Sequence, residues 1–364
     1  MKTISETIGG AQALPDINFD LQNCFEEQLT NEYKTFLQML RVIESAINIP
    51  QRQYAGIGRR PYQYLPYLRC MYAMSYFKII TTVELIQRLK GDPNLRLLCG
   101  FKGVPHKSQF SRAFAILSAM NIMNETLEKL VINAHKRTVV YHVSRDSTAI
   151  EARETVRKKK AEKKAKKKRG RPKKDEKHIP PPISRIEKQI TQSAYEALKD
   201  IDTACAYGCK KNSSGNTYFW KGYKLHLDVS DLGLPLNAII TGANVHDSQL
   251  AIPMERITEQ RVRFCYSLMD AAYDSKAIDD FIRSRDRIPV IDPNKRQNSN
   301  RPPLDPAKKE RFKFRSGVER ANGYLKDNLL PSKIFVKGYA KVSFVLMSAV
   351  ICLAALRTLQ YFVL

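Results

Sequence analysis

The sequence predicts an α/β core preceded by an all-helical domain, with a long basic insertion interrupting the core. Residues 31–136 carry apolar side chains at helical spacing, which indicates a helical region. From residue 137 onward, short β-branched and aromatic segments precede helical ones, and several of these segments end in an acidic residue. Strands followed by helices, with acids at strand ends, are typical of an α/β core.

The amino-acid composition indicates which class of partner the chain binds. The chain has 61 Lys and Arg residues against 36 Asp and Glu residues, a formal net charge of +25. Such an excess favours a polyanion such as nucleic acid, because each neutralised phosphate releases condensed counterions. Charge alone does not identify a reaction. The seven cysteines form no disulfide-like framework, so we expect reduced thiols in a cytoplasmic protein.

The N-terminal part divides into a loose arm and a helical region. Residues 1–30 mix Gly, Pro, Asn and acids without periodicity and are expected to be a flexible arm. Residues 31–136 are predicted to be a helical, DNA-binding domain. One of its helices is expected to start near Ser108 as N-cap. Its first residues include the polar side chains His106, Lys107, Gln109 and Arg112. Two interpretations remain open, a base-reading helix of a helix-turn-helix unit and an ordinary surface helix.

The remainder, residues 137–364, is predicted to be the catalytic core. Strands are expected at 138–143, 218–229, 236–241, 264–269 and 288–292, and helices at about 274–285, 312–329 and 340–362. The last helix contains the most apolar stretch of the chain, the 15 residues 342–356, which are bounded by Lys341 and Arg357. Since about 20 are needed to span a bilayer, we expect a buried helix that covers the sheet rather than one that joins subunits, and no membrane partner.

A basic insertion is predicted at about residues 155–215. Within it, residues 157–174 carry 13 Lys or Arg among 18 positions. Like charges at this density repel one another and bury little apolar surface, so disorder is expected. The insertion contains Lys168, Arg169, Arg171 and Lys173 around an Arg-Gly-Arg-Pro core. This core resembles an AT-hook, which inserts Arg side chains into a narrow minor groove. A sequence-independent phosphate clamp is the alternative.

Two aspartates follow predicted strands and suggest a metal site. Asp146 lies just beyond the first strand and Asp270 directly follows the strand at 264–269. Carboxylates on adjacent strands can share two divalent ions, the arrangement that supports phosphoryl transfer. A third carboxylate is expected, and Glu319 is the candidate. Because Arg315 and Lys326 lie nearby, Glu319 is alternatively a member of a surface ion pair.

Five segments of the chain resemble the DDE-type insertion-sequence transposases. Segment 144–148 (Ser-Arg-Asp-Ser-Thr) is similar to the first-acid motif of that family, and 269–275 (Met-Asp-Ala-Ala-Tyr-Asp-Ser) is similar to the second. Segments 222–226 and 242–247 resemble the connecting strands. Arg315, Glu319 and Lys326 fit the spacing of the Tyr-Arg-Glu-Lys signature, whereas Phe312 stands where that signature has Tyr.

The resemblance implies a ribonuclease H-like core with Asp146, Asp270 and Glu319 as ligands of two Mg²⁺ or Mn²⁺ ions. It also implies that Arg315 and Lys326 hold DNA phosphates. The expected reaction is cleavage at the terminal inverted repeats of an element, followed by strand transfer into target DNA. A homodimeric synaptic complex and a nucleoid-associated, cytoplasmic location follow from the same resemblance.

Other functions remain possible on sequence grounds. A nuclease that cuts without rejoining would use the same acids, and a non-catalytic DNA-binding regulator derived from a transposase would keep the DNA contacts. An RNA-binding protein would be expected to interleave aromatics with its basic residues, and 157–174 contains none. Near the core, His226 and His246 are expected to be structural, and the role of Asp247 is left open.

Overall fold

The protein was analysed as a computed structural model. The structure describes residues 29–54, 56, 60–136, 138–156, 183–211, 215–294 and 302–362. Most of the expected N-terminal arm, residues 1–28, lies outside the described residues. So does the most basic part of the predicted insertion, residues 157–182.

The N-terminal region is helical, as predicted. Its helices are α1 (Asn31–Glu44), α2 (Tyr64–Tyr76), α3 (Thr82–Gly91), α4 (Pro93–Leu98), α5 (Lys107–Ala119) and α6 (Ile122–His135). The helical spacing noted in the sequence buries Phe36, Leu37 and Leu40 on one face of α1. The predicted N-cap of α5 is wrong by two residues. His106 caps the helix, and its Nδ1 accepts a hydrogen bond from the backbone N–H of Ser108 at 3.3 Å.

The C-terminal region contains one mixed sheet. Its strands are β1 (Val140–Glu151), β2 (Ala206–Lys211), β3 (Thr217–Val229), β4 (Pro235–Gly242), β5 (Phe264–Met269) and β6 (Ile288–Ile291). The order is β2-β3-β1-β5-β6, and β4 also pairs with β3. β3 is antiparallel to β1, β2 and β4, whereas β5 is parallel to both β1 and β6. The parallel strands β5 and β6 therefore lie beside the antiparallel strands β1, β3 and β4.

β1 is longer than predicted, and this changes the position of Asp146. The strand was expected to end at residue 143, but it continues to Glu151. It pairs with β5 between Val140 and Ser144 and with β3 between Ser144 and Glu151. Because each half has a different partner, the strand persists through the polar segment that the sequence suggested was a loop. Asp146 consequently lies within β1 and not at its end.

The predicted insertion is also shorter than expected, because residues 183–211 are folded. They form α7 (Arg185–Gln189), α8 (Ala194–Lys199) and β2. Ser184 and Ser193 each begin a helix with a capping box, in which serine and a glutamate three residues later satisfy each other's backbone N–H groups. These local signals were obscured by the strongly basic segment that precedes them.

The described residues of the C-terminal region also form α9 (Ala251–Arg261), α10 (Lys276–Arg283), α11 (Pro306–Phe312), α12 (Ser316–Tyr324) and α13 (Tyr339–Phe362). A 3₁₀ turn, Lys313–Arg315, joins α11 to α12, and a π-helical turn, Leu325–Leu329, follows α12. α12 packs against β1 and β3, which places Glu319 and its neighbours above the middle of the sheet.

α13 is the apolar helix expected from the sequence. It contacts β4, as predicted for a helix that covers the sheet, but it also packs against α1, α2, α5 and α6. Buried residues of the helical region, the sheet and α13 form one continuous hydrophobic cluster. Within the described residues, α13 is long and apolar enough to span a membrane, yet 67% of its most apolar window is buried inside the protein. The packing shows a core helix.

Candidate active site

Asp146 within β1 and Asp270 directly after the parallel strand β5 lie next to each other. In the register of these strands, Ser144 is opposite Leu268, and each aspartate lies two residues further along its chain. Residues two apart on a strand share a face, and neighbouring strands are about 4.8 Å apart. The two carboxylates are therefore brought to one side of the sheet. Asp270 additionally caps the short turn after β5, accepting from the N–H of Ala272 at 2.9 Å.

Arg145 points to the opposite face of β1, and its contacts fix the strand. Its guanidinium donates to both carboxylate oxygens of Asp228, at 2.6 and 2.8 Å, and to Glu255 at 3.1 Å. It also donates to the carbonyl of Ala251 at 2.7 Å. Burial opposes its charge, but Asp228 and Glu255 prevail and raise the pKa of Arg145. A fully satisfied buried charge here holds β1 in register beside Asp146.

Arg315 connects the three predicted acids. Its Nη2 lies 3.4 Å from Asp146 Oδ1 and 3.8 Å from Asp270 Oδ2, while its Nη1 donates to Glu319 Oε1 at 2.7 Å. Asp146 and Asp270 thus approach the same nitrogen. Glu319 reaches them only through Arg315, and 57% of its side chain is exposed. The structure brings the aspartates together directly and the glutamate indirectly.

The surroundings of the two aspartates disfavour ionisation of their carboxyl groups. Burial raises the pKa of Asp146 to about 6, Arg315 opposes this, and Asp270 adds repulsion. Burial likewise raises the pKa of Asp270, with the Ala272 N–H and Arg315 opposing and Asp247 adding repulsion. Closely spaced carboxylates of this kind are stabilised as anions by a nearby cation. In the structure that cation is the Arg315 guanidinium.

The donor set fits a hard divalent ion in chemistry, although its third member does not reach the other two. Asp146, Asp270 and Glu319 offer carboxylate oxygens, the ligands that Mg²⁺ prefers. Over the described ranges, however, no three His, Cys, Asp or Glu side chains converge closely enough to hold one ion together. Asp146 and Asp270 are the residues that would hold it, and Glu319 is one contact removed on α12.

Two family models match this chain. The model described as "Transposase DDE domain" matches residues 185–355, and that described as "Transposase domain (DUF772)" matches residues 24–115. The first match contains Asp270 and Glu319, and the second covers most of the helical region. The chain belongs to the DDE insertion-sequence transposases. Neither the curated proteins nor the solved structures contain a significant match to the transposase.

Three cationic residues act on the acids. Arg315 and Lys326 belong to the family signature, and Lys210 is apparent only from the structure. Arg315 lies at the acids, as described. Lys326 lies on the π-helical turn with its side chain at the surface. Partial desolvation by the surrounding protein lowers the pKa of its ammonium, and repulsion from Lys210 lowers it further, whereas Asp146 raises it. Lys210, on β2, also lowers the pKa values of Asp146 and Asp270. The sequence did not suggest Lys210, because β2 was assigned to the insertion.

Asn322 is another residue of the transposase that the sequence did not reveal. It lies on α12 one turn after Glu319, and its Nδ2 donates to Asp146 Oδ2 at 3.3 Å. The side chain is buried, and its Oδ1 has no hydrogen-bond partner among the described residues. Its position three residues after Glu319 was a usable signal, because side chains at i and i+3 share a helix face.

The two histidines make structural contacts, as expected. Buried His226 shares a hydrogen bond between Nε2 and Thr241 Oγ1 at 2.9 Å, and burial lowers its pKa to about 4. His246 caps the 3₁₀ turn at Asp247–Leu250. Asp247 pairs with Lys224 at 2.9 Å and accepts a hydrogen bond from Ser147, the neighbour of Asp146. It therefore lies at the edge of the acid cluster, paired with a lysine.

The structure describes Phe312 but not the AT-hook-like segment. Phe312, at the position of the signature tyrosine, lies with its ring 6.0 Å from the Arg315 guanidinium carbon. The AT-hook-like residues Lys168, Arg169, Arg171 and Lys173 lie outside the described residues, so their expected DNA contacts stay predictions.

Proposed function

We propose that this transposase cleaves the ends of its element in a metal-dependent reaction and joins them to target DNA. The observation that carries the proposal is the pairing of Asp146 with Asp270 on parallel strands, with Arg315 linking both to Glu319. Adjacent half-buried carboxylates in a chain with a formal net charge of +25 suit phosphodiester chemistry better than a purely structural role.

The strand arrangement supports a ribonuclease H-like core. The antiparallel meander β1-β3-β4 followed by the parallel strands β5 and β6 is the arrangement expected of such a core, with the first two acids on adjacent strands. β2 is then an addition that pairs with the beginning of β3. We assign residues 31–136 to a DNA-binding domain and residues 137–364 to the catalytic domain.

Each site residue has a distinct role in this proposal. Asp146, Asp270 and Glu319 would hold two Mg²⁺ or Mn²⁺ ions, which when bound activate the attacking oxygen and stabilise the leaving one. Arg315 can exchange its carboxylate contacts for a phosphate, which its planar guanidinium grips with two parallel hydrogen bonds. Lys326 and Lys210 supply point charges beside Asp146 for the DNA backbone.

The partners follow from the reaction. The substrate is double-stranded DNA, first the terminal inverted repeats and then the target. Acting on two ends together requires a pair of active sites, so we propose a homodimer in the synaptic complex. The basic residues 157–174 add positive charge for the DNA, and the enzyme would act at the nucleoid in the cytoplasm.

Strand-transfer products provide the test. The full chain is incubated with Mg²⁺, a labelled duplex that ends in the element's terminal repeat, and a target plasmid. We expect joined products from the wild type, none from Glu319→Gln, and wild-type levels from the matched control Glu310→Gln, an exposed acid on α11 paired with Lys313. Cleavage without joined products would instead identify a nuclease. Specific binding with neither product would identify a regulator derived from a transposase.

A further inference from the structure

A groove in the helical region is lined by several positively charged side chains, which are distant in sequence from the acids. It lies between the segment leading into α2 and the beginning of α5, and has a volume of about 460 Å³. Arg52, Arg60 and Arg112 line it, together with His106 and Gln109. No acidic side chain lines the groove in the described part of the chain.

Among the described residues, Arg52 and Arg112 contact only neutral partners. Arg52 Nη1 donates to the carbonyl of Tyr62 at 3.1 Å, and its guanidinium lies 5.0 Å from the centre of the Tyr64 ring. Arg112 donates to the carbonyl and hydroxyl of Ser108, at 3.3 and 3.5 Å. Among the described residues neither arginine has a carboxylate within ion-pair distance. Their charges are therefore left for an external anion.

Arg52 and Arg112 both act on the buried Tyr67 side chain. Burial raises the pKa of Tyr67 to about 12, and the charges of the two arginines oppose that rise. Tyr67 packs edge-on against Phe101 and Phe110, with ring centroids 5.2 and 5.3 Å apart. Because Phe110 belongs to α5, this contact fixes the start of α5 against α2.

The segment that carries Arg52 is tied to α2 by its backbone. The N–H of Arg52 donates to Gln63 Oε1 at 2.7 Å, and Gln63 Nε2 donates back to the carbonyl of Arg52 at 3.1 Å. A segment held in this way loses little conformational freedom when a ligand binds, so the cations are preorganised. The positive end of the α5 dipole, close to Arg112, adds to the attraction for an anion.

We propose that this groove binds the phosphate backbone of duplex DNA and anchors the helical region to it. The proposal rests on the proposed function, since it takes the substrate of the acid cluster to be DNA. Several guanidinium groups without acidic neighbours match the regular negative charge of the backbone. Phosphate contacts position a protein on the duplex without reading its sequence. Base reading by α5, through Gln109 and His106, is the competing outcome.

Binding of fluorescently labelled duplexes as a function of salt tests the proposal. Anisotropy is measured between 50 and 300 mM KCl, in EDTA, on two duplexes of unrelated sequence, using the full chain. The test variant is Arg52→Ala with Arg112→Ala, and Arg52→Lys with Arg112→Lys keeps both charges. The matched control is Arg283→Ala with Arg285→Ala, which removes two exposed arginines near α10.

We expect the alanine pair to bind both duplexes more weakly by the same factor. Its slope of log affinity against log salt should be shallower by about 1.8, at about 0.9 for each phosphate that the variant no longer neutralises. The lysine pair and the control should keep the wild-type slope, which also separates loss of charge from loss of folding.

An alanine pair with the wild-type slope would overturn the groove assignment, and so would a loss confined to one duplex sequence with the slope unchanged. The wild type is assayed for Mg²⁺-dependent nicking in parallel. Nicking by the wild type together with an unchanged slope in the alanine pair would contradict the groove alone. A wild type that neither binds nor nicks any duplex would contradict both the groove and the proposed function.

Discussion

At the scale of single residues, Asp146 is constrained from several directions. Arg315 approaches it from the 3₁₀ turn, Asn322 donates to it from α12, and Asp270 lies beside it at the end of β5. The orientation of one carboxylate thus depends on two helical side chains that are distant from it in sequence. Such positioning is what keeps a metal ligand within a few tenths of an ångström of a productive geometry.

Asn322→Ala tests this positioning. Removing a hydrogen bond to a charged group costs about 1.5–3 kcal/mol, so we expect the nicking rate to fall roughly ten- to a hundredfold. The apparent affinity for Mn²⁺, measured by calorimetry without DNA, should fall as well, while DNA affinity is retained. The matched control is Asn328→Ala, which changes an exposed asparagine on the following turn whose Nδ2 donates to the Tyr324 carbonyl. Equal Mn²⁺ affinity in the two variants would remove Asn322 from this role.

His226 makes the stability of the protein depend on pH. Its folded-state pKa of about 4 lies below the ordinary value of 6.5 because the ring is buried. The folded state therefore disfavours the protonated ring. The contribution to stability is fully present above pH 6.5 and is lost as the pH falls towards 4, by on the order of 3 kcal/mol.

In His226→Gln this part of the acid dependence should disappear. Urea denaturation at pH 7.5, 5.5 and 4.5 measures it, with exposed His106→Gln as the control that keeps the wild-type dependence. If the wild type and His226→Gln lose equal stability on acidification, His226 is not responsible.

At the scale of elements, β1 carries the site on one face and a buried ion network on the other. Alternation along the strand sends Arg145 to Asp228 and Glu255 and sends Asp146 to Arg315. The network and the site are therefore held by consecutive residues. Loss of one should disturb the other through the register of β1 against β3.

Arg145→Met tests the network. It leaves Asp228 and Glu255 buried without their common partner, which costs about 3–5 kcal/mol of unfolding free energy. Arg283→Met, which removes an exposed helical ion pair with Asp279, should cost at most about 0.5 kcal/mol. Both are measured by urea denaturation at pH 7.5. A cost below 1 kcal/mol for Arg145→Met would show that the network does not hold β1.

The elements also show what sequence patterns can and cannot predict. β5 and Asp270 were predicted to the residue, because a short apolar run with an acid directly after it is an unambiguous local signal. The end of β1 was not, because residues 144–148 are polar and this part of the chain becomes a strand by pairing with β3. The contacts of Arg315 and Asn322 with Asp146 depend on how α12 packs on the sheet, which no local pattern encodes.

At the scale of the whole molecule, α13 joins the helical region to the sheet. Among the described residues, α13 packs against the N-terminal helix α1 as well as against β4. A shared core of this kind couples the stability of the two regions. It also gives a surface groove in the helical region a fixed relation to the acids on the sheet.

Leu346→Ala in the centre of α13 should weaken both regions together. Leu346 is fully buried, and its truncation is expected to cost about 2–5 kcal/mol. Trp220, the single tryptophan, lies in β3 and reports on the sheet, whereas circular dichroism at 222 nm reports mainly on the helices. The two urea transitions should coincide in the wild type and shift equally in the variant. Ile116→Ala, on the exposed side of α5, should shift neither by much, and a shift of one probe alone in Leu346→Ala would show that the regions unfold independently.

The central claim is that Asp146 and Asp270 form the metal-dependent site of a DNA-cutting enzyme. The most direct measurement is nicking of a duplex that carries the element's terminal repeat, with Mg²⁺, Mn²⁺ or EDTA, by the wild type and by Asp270→Asn. We expect nicks at the repeat boundary from the wild type with either metal, none in EDTA, and at least a thousandfold slower reaction in Asp270→Asn, with DNA affinity unchanged. Nicking at the wild-type rate by Asp270→Asn, or tight binding by the wild type without nicking under any metal, would contradict it.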